Sequence, residues 1–270
     1  MKIAPNERVR YRNNPLAEVL CQVRFSGLEN TEALPIEVMQ SAFEGAGYTV
    51  KTEEQTLGFV LTGEAGKAPV ASQAPASKIH HFSTSDNIWR FSIHHDFLTL
   101  TCTKYQSWEE FLPRMIAGSE ILTAHLQEIK PVRLGLRYKD IIEREALGLE
   151  GTPWSDLISP FLLGPLTLNA LSEEETLDEA NIGNFVSQTS LVLDDCKLLL
   201  QSSLLTSTDN TRRAFLIDAD FFEEPLTNTA LLKDKEALKQ HLNILHNNAG
   251  ALFRRGITEK LHGALGPEAI

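Results

Sequence analysis

Two stretches of this chain alternate apolar and polar residues with a period of two and are broken by dipeptides that turn a chain back on itself. In IHHFSTSDNIWRFSIHHDFLTLTCTKY, residues 79–105, the breaks fall at Asp86-Asn87 and His95-Asp96. In NFVSQTSLVLDDCKLLLQSSLLTSTDNTRRAFLIDADFF, residues 184–222, they fall at Asp194-Asp195 and Asp209-Asn210. Period two is the signature of a strand with one buried face. Tight turns make consecutive strands antiparallel, because a parallel pair needs a crossover of a dozen or more residues. A doubly wound parallel fold is therefore disfavoured.

Each meander is preceded by another alternating segment. In PLAEVLCQVRF, residues 15–25, Ala17, Val19, Cys21, Val23 and Phe25 share one side, with Glu18, Gln22 and Arg24 on the other. In PVRLGLRY, residues 131–138, Val132, Leu134, Leu136 and Tyr138 point inward and Arg133 and Arg137 outward. At an offset of 113 residues, Leu136-Arg137-Tyr138 falls on Val23-Arg24-Phe25 with the face parity preserved. A helix is expected after each segment, at IEVMQSAFEGA between Pro35 and Gly47 and at Pro153 to Leu163. A further strand is expected at Tyr48 to Leu61.

A closing helix follows each meander. Ser107 with Glu110 three residues on forms a capping box ahead of Phe111, Met115, Leu122, Leu126 and Ile129, and Asp234 caps a stripe of Leu238, Leu242, Leu245, Ala249 and Leu252. The expected fold is α+β. Two internally duplicated β-α-β-β-β-α halves, about 15–129 and 131–256, form one antiparallel sheet or a pseudo-twofold barrel with helices on one face. Residues 1–270 read as a single globular unit, and the Ala/Pro/Gly/Ser-rich stretch 62–78 as a flexible loop.

Thirty-six Asp and Glu against 25 Lys and Arg give a net charge of -11, which disfavours a nucleic-acid ligand. Cys21, Cys102 and Cys196 are few, far apart and set in apolar segments, as expected for buried free thiols in a reducing cytoplasm. The N-terminal MKIAPNERVRYRNN has no apolar signal core, and no run approaches a membrane span. The expectation is a cytoplasmic protein with no membrane association.

Phosphate-loop, zincin, nucleophile-elbow and paired Cys-x-x-Cys motifs are absent. The polar sheet face is the remaining place for chemistry. Asp218 and Asp220 are two apart on a strand, so both carboxylates share a face, and Arg24 and Arg137 occupy matching positions of the two halves on the polar face. The four form a candidate ligand site, in which arginine forks grip an anion, or a set of internal ion pairs; the ion-pair reading is the stronger. His81 and His94 are weak metal candidates, because adjacent histidines on a strand point to opposite faces and neither His80-His81 nor His94-His95 chelates as a unit. No cofactor is expected. Tyr105, Trp108 and Phe111 read as core, and His241 as a partly buried edge residue.

NPLAEVLCQVRF, LTLTCTKYQSWEEF, RLGLRYKDII, LIDADFF and NNAGALFRRGIT, in that order, resemble the landmarks of a sporadically distributed, uncharacterised bacterial family of about this length, the TIGR-type uncharacterised proteins. The resemblance covers nearly the whole chain and implies one globular unit and an accessory role. At Lys139-Asp140 the sequence departs from the family's pattern, which has Ile-Asn after Arg-Tyr. The expected function is a non-catalytic binding module for a protein partner or for a second copy of itself in a homodimer. The alternative is a small-molecule or anion-binding enzyme or sensor that uses the Arg/Asp face; whether the chain is an enzyme stays open.

Overall fold

A computed structural model describes residues 1–28, 33–56, 59–62, 70–73, 77–167, 182–208 and 212–269. The elements run in the order β1 (Val9–Tyr11), β2 (Leu16–Ser26), α1 (Ile36–Gly45), β3 (Val50–Thr56), β4 (Phe59–Thr62), β5 (Val70–Gln73), β6 (Ser77–Ser83), β7 (Trp89–His94), β8 (Phe97–Cys102), α2 (Trp108–His125), β9 (Lys130–Glu143), α3 (Pro160–Leu163), β10 (Val186–Val192), β11 (Lys197–Thr206), β12 (Arg213–Glu223), α4 (Lys235–Gly256), α5 (Glu259–Leu265) and β13 (Pro267–Ala269). Nine strands make one antiparallel sheet in the order β10-β11-β12-β9-β2-β8-β7-β6-β3. The fold is α+β.

The alternation sets the two faces. Phe82, Trp89, Phe91, Ile93, Leu98, Leu100 and Cys102 are all buried on the face that α1 and α2 cover. Leu134, Leu136, Phe215, Ile217 and Phe221 continue that face beneath α4. Phe43 of α1 stacks on Phe82 at 4.8 Å and tilts against Phe91 at 5.0 Å. Each such buried ring contributes roughly 1.5–3 kcal/mol of transfer free energy. Helix α2 comes this close because residue 118 is glycine: a Cβ there would lie 2.3 Å from the Phe91 ring. The caps form as the sequence requires, with Ser107 accepting from the Glu110 amide and Asp234 from the Ala237 amide.

Several expectations are corrected. The sheet is open, with β10 and β3 at its edges, so no barrel closes. The expected strand from Tyr48 to Leu61 divides into β3, in the large sheet, and β4, which among the described residues pairs with β5 alone. Most of 62–78 lies outside the described residues; within it Val70–Gln73 is a strand and Ser77 opens β6. The Asp209-Asn210 turn also lies outside them. The Asp194-Asp195 turn is a two-residue link, closed by the Leu193 amide on the Cys196 carbonyl. Asp86-Asn87 sits instead in a wider loop, which the Thr84 amide closes on the Trp89 carbonyl. The expected helix at Pro153 to Leu163 resolves into a 3-10 turn, Trp154–Asp156, and the single turn of α3. Ala17 is exposed rather than inward, because the register of β2 on β9 shifts between Leu16 and Glu18, a bulge that re-aims the start of the strand.

The sheet's middle is the pair β2 and β9, where Gln22 lies opposite Gly135 and Arg24 opposite Arg133. Outside this sheet, β1 pairs with β13 in a two-stranded ribbon, Val9 against Ala269 and Tyr11 against Pro267. That ribbon holds the N-terminal arm across the end of α4.

Candidate functional site

The polar face holds the four residues singled out by parity, and the structure places them in separate ion pairs. Arg137 donates from Nε and Nη2 to the two carboxylate oxygens of Asp218, at 2.6 and 2.5 Å. Asp220 is taken by Arg133 at 2.7 Å, whose side chain folds flat over Gly135, where any Cβ would meet it at 2.4 Å. Burial raises the Asp220 pKa above the usual carboxylate range, against the pull of Arg133. Arg24 pairs with Asp96 at 3.0 Å. Arg24 and Arg137 therefore share no carboxylate.

The histidines are also held internally. His81 Nδ1 lies 2.8 Å from Ser92 Oγ, and its Nε2 lies 3.4 Å from a Glu54 oxygen. His94 sits between Asp96, at Nδ1, and Ser77 Oγ, 3.0 Å from Nε2. Because His95 lies in the turn and not in the strand, the two rings come within 4.0 Å of each other. One ligand atom each from His94, His95 and Asp96 falls within 4.8 Å of the others. The strand argument against that doublet thus fails at the turn. Arg24 already supplies positive charge at Asp96 and both His94 nitrogens are engaged, while among the described residues no hydrogen-bond partner reaches the buried His95 Nδ1.

The concave site is on the other face. A cavity of about 400 Å³ lies under the N-terminal arm, between the arm, the start of α2, the α4 helix and the strands β9 and β12. Its floor is a row across three strands, Leu16, Asp140 and Ile217, set side by side by register. Tyr138 and Ala219 make the next row. The small residues Ala249 and Gly250 of α4 leave the room.

Asp140 is 5% exposed and lines this cavity. It follows Leu136 and Tyr138 on the inward side of β9, where the sequence alternation puts an acid at a core position. Among the described residues no hydrogen bond or ion pair reaches its carboxyl. Burial first, and the charge of Asp218 second, push its pKa up to about 8. Two histidines are matched to tyrosines. Tyr138 Oη lies 2.8 Å from His246 Nδ1, and Tyr11 Oη lies 2.8 Å from His262 Nδ1. The His246 ring stacks on Trp108 at 4.2 Å and 5°, and burial lowers its pKa to about 4. Arg8, which only donates, approaches His246 Nε2 at 3.5 Å. The imidazole is therefore neutral at pH 7, with its proton on Nδ1 facing Tyr138.

Comparison of the sequence with protein-family models gives no match, and none is found among curated proteins. The site is read from its own geometry.

A buried acid that keeps its proton near neutral pH, beside a neutral imidazole and two tyrosines, can donate or accept hydrogen bonds inside an aromatic-walled space. Sequence reasoning missed it for definite reasons. The alternating segment expected as a strand ends at Tyr138, two residues short of Asp140. Trp108 and Phe111 are buried in the core as expected, with Tyr105 packed against it, and Tyr105 and Trp108 also line the cavity. His246 lies four residues after Leu242 on the apolar stripe, a position that signals burial but not a partner. His241 bonds Glu223 at 2.8 Å, with its side chain 31% exposed. Among the described residues, no helix is long and apolar enough to cross a membrane.

Proposed function

We propose that the protein binds a small organic molecule in the cavity beneath the N-terminal arm. The observation that carries this reading is Asp140: a buried carboxyl without a partner costs free energy in the empty protein, and such a cost persists where a ligand repays it. The volume falls in the range of small-molecule sites. The site differs from the Arg/Asp face expected from sequence, whose charges are spent on one another. Saturation-transfer NMR with cationic, neutral and anionic aromatic fragments tests the reading. Fragments that bind the wild type should lose contact in Gly250→Phe, which fills the cavity from a position where a Cβ meets nothing within 4 Å. Binding by no fragment, or binding untouched by Gly250→Phe, overturns it.

A second reading is association with another chain through β10. This edge strand, VSQTSLV, carries no charge and no proline, and Val186 and Val192 are 57% and 70% exposed. Natural edges are usually blunted by such residues. Sedimentation should report a dimer that Thr189→Pro dissolves; a monomer at all concentrations sinks it.

The halves are also proposed to be an internal duplication. The sheet order runs β2-β8-β7-β6 outward on one side and β9-β12-β11-β10 on the other, and Gln22 opposite Gly135 is the pairing that the 113-residue offset requires of a twofold axis. A superposition that places Arg24 anywhere but over Arg137 refutes it.

A further inference from the structure

We infer that the cavity takes a positively charged organic ligand, an amine or amidine on an apolar body, whose cationic group pairs with the Asp140 carboxylate. This inference rests on the small-molecule reading of the same cavity and names its ligand class.

The argument is one of charge matching. The arginines that line the cavity with a partner are spoken for: Arg8 on Glu109 at 3.3 Å, and Arg254 on Glu259. Arg10 is exposed. An anion entering this space would find the Arg8 and Arg254 guanidinium groups already paired with carboxylates and Arg10 exposed to solvent, where its charge is screened. A cation would meet Asp140, a buried acid that no partner reaches among the described residues, inside walls formed by Tyr11, Trp108, Tyr138 and Phe253. Aromatic faces carry negative electrostatic potential and attract organic cations when water is excluded. A buried ion pair is stable only when both members are present and well placed, so the pocket discriminates against neutral isosteres.

Proton linkage gives the inference a second readout. The titratable and charged groups around Asp140 are Tyr138 on its own strand, Glu7, Arg8, Arg10 and Tyr11 on the arm, Tyr105 ahead of α2 and Glu109 on it, His246 and Arg254 on α4, Glu259 and His262 on α5, and Asp218 of β12 across the sheet. Among these, burial and Asp218 keep Asp140 protonated in the empty site at pH 7. Pairing with a cation favours the carboxylate, so the proton leaves to buffer as the ligand binds. Occupation by a neutral hydrogen-bond acceptor would retain it.

The experiment is titration calorimetry of the full chain at pH 7 with benzamidine, phenethylamine and tryptamine, each beside a neutral isostere such as benzamide, and with benzoate. Measurements in phosphate and in Tris count released protons through the buffers' different ionisation enthalpies. At least one amine should bind ten-fold or more tighter than its isostere and release up to one proton. Asp140→Asn should weaken it ten-fold or more and abolish the release, while thermal melting verifies that the variant is folded. Equal binding of benzamide or benzoate, no binding by any of the three amines, or an unchanged affinity in Asp140→Asn overturns the inference. If neutral fragments still bind and are lost in Gly250→Phe, the cavity reading stands and only the charge class fails. If nothing of any charge binds, both fail together.

Discussion

Arg137 reaches Asp218 with two hydrogen bonds, and the two ends of this contact differ in burial: the carboxylate side chain is 7% exposed and the guanidinium side chain 40%. Hydrogen bonding to Asp218 raises the Arg137 pKa further above its ordinary value. The asymmetry decides which partner is costlier to lose. Arg137→Ala leaves a buried carboxylate with Asp140 in its field, and should cost about 3–5 kcal/mol. Asp218→Ala leaves an arginine that can turn to water or to Asp220 across the strand, and should cost about 1–2 kcal/mol. Urea denaturation of both variants measures the order; a larger loss for Asp218→Ala contradicts it.

Asp140→Asn should stabilise the protein, and more so at alkaline pH. The folded pKa of about 8 lies above the ordinary value near 3.9, so the native state holds a proton that the unfolded chain releases. Stability from this group is present below about pH 4 and is lost as pH rises to about 8. Removing the titration should raise stability at pH 8 by at least about 1.4 kcal/mol. Denaturation curves at pH 5 and pH 8 read the difference; a gain no greater at pH 8 than at pH 5 contradicts the assignment.

The acid side is governed in part by His246. Its folded pKa of about 4 lies below the ordinary 6.5, so the unfolded chain binds the proton first and stability falls as pH drops from about 6.5 to 4. His80, His81 and His95 are lowered in the same direction by burial. His246→Phe keeps the stack on Trp108 while deleting the titration, and should flatten this limb by about 1–3 kcal/mol. Thermal melts between pH 4 and pH 7 test it, and a limb of unchanged steepness excludes His246 as a contributor.

Gly118→Leu should separate α2 from the sheet, because even the first side-chain carbon would lie 2.3 Å from the Phe91 ring. Overpacking of this kind costs about 1–3 kcal/mol. Phe91→Ala in the same background should recover part of the loss by making room. A double variant no better than Gly118→Leu alone would show that the clash is relieved elsewhere.

Period two made the antiparallel sheet, its faces and its helix caps readable, since burial of Phe82, Leu98 and Phe221 follows from parity alone. The bulge at Ala17 was not readable, because alternation carries no mark of the extra residue that shifts a register. The ion pairs are legible as a face but not as partners: the register sets Arg137 opposite Asp220, yet Arg133, folded back over Gly135, is the arginine that takes Asp220. The cavity was hidden for another reason. Its walls come from the arm, α2, β9 and α4, and no local pattern records which distant segments leave a gap between them.

The ribbon of β1 and β13 joins residues some 260 positions apart in the chain, Val9 with Ala269. At roughly 5–20 residues per second of ribosomal synthesis, the arm emerges on the order of ten to fifty seconds before the strand that clasps it. During that interval Tyr11 has neither Pro267 beside it nor His262 to bond, and the roof over Asp140 lacks the clasp of the ribbon. The chamber is thus among the last features to exist in a newly made molecule, and a chain cut short before Glu259 would carry its floor without its latch.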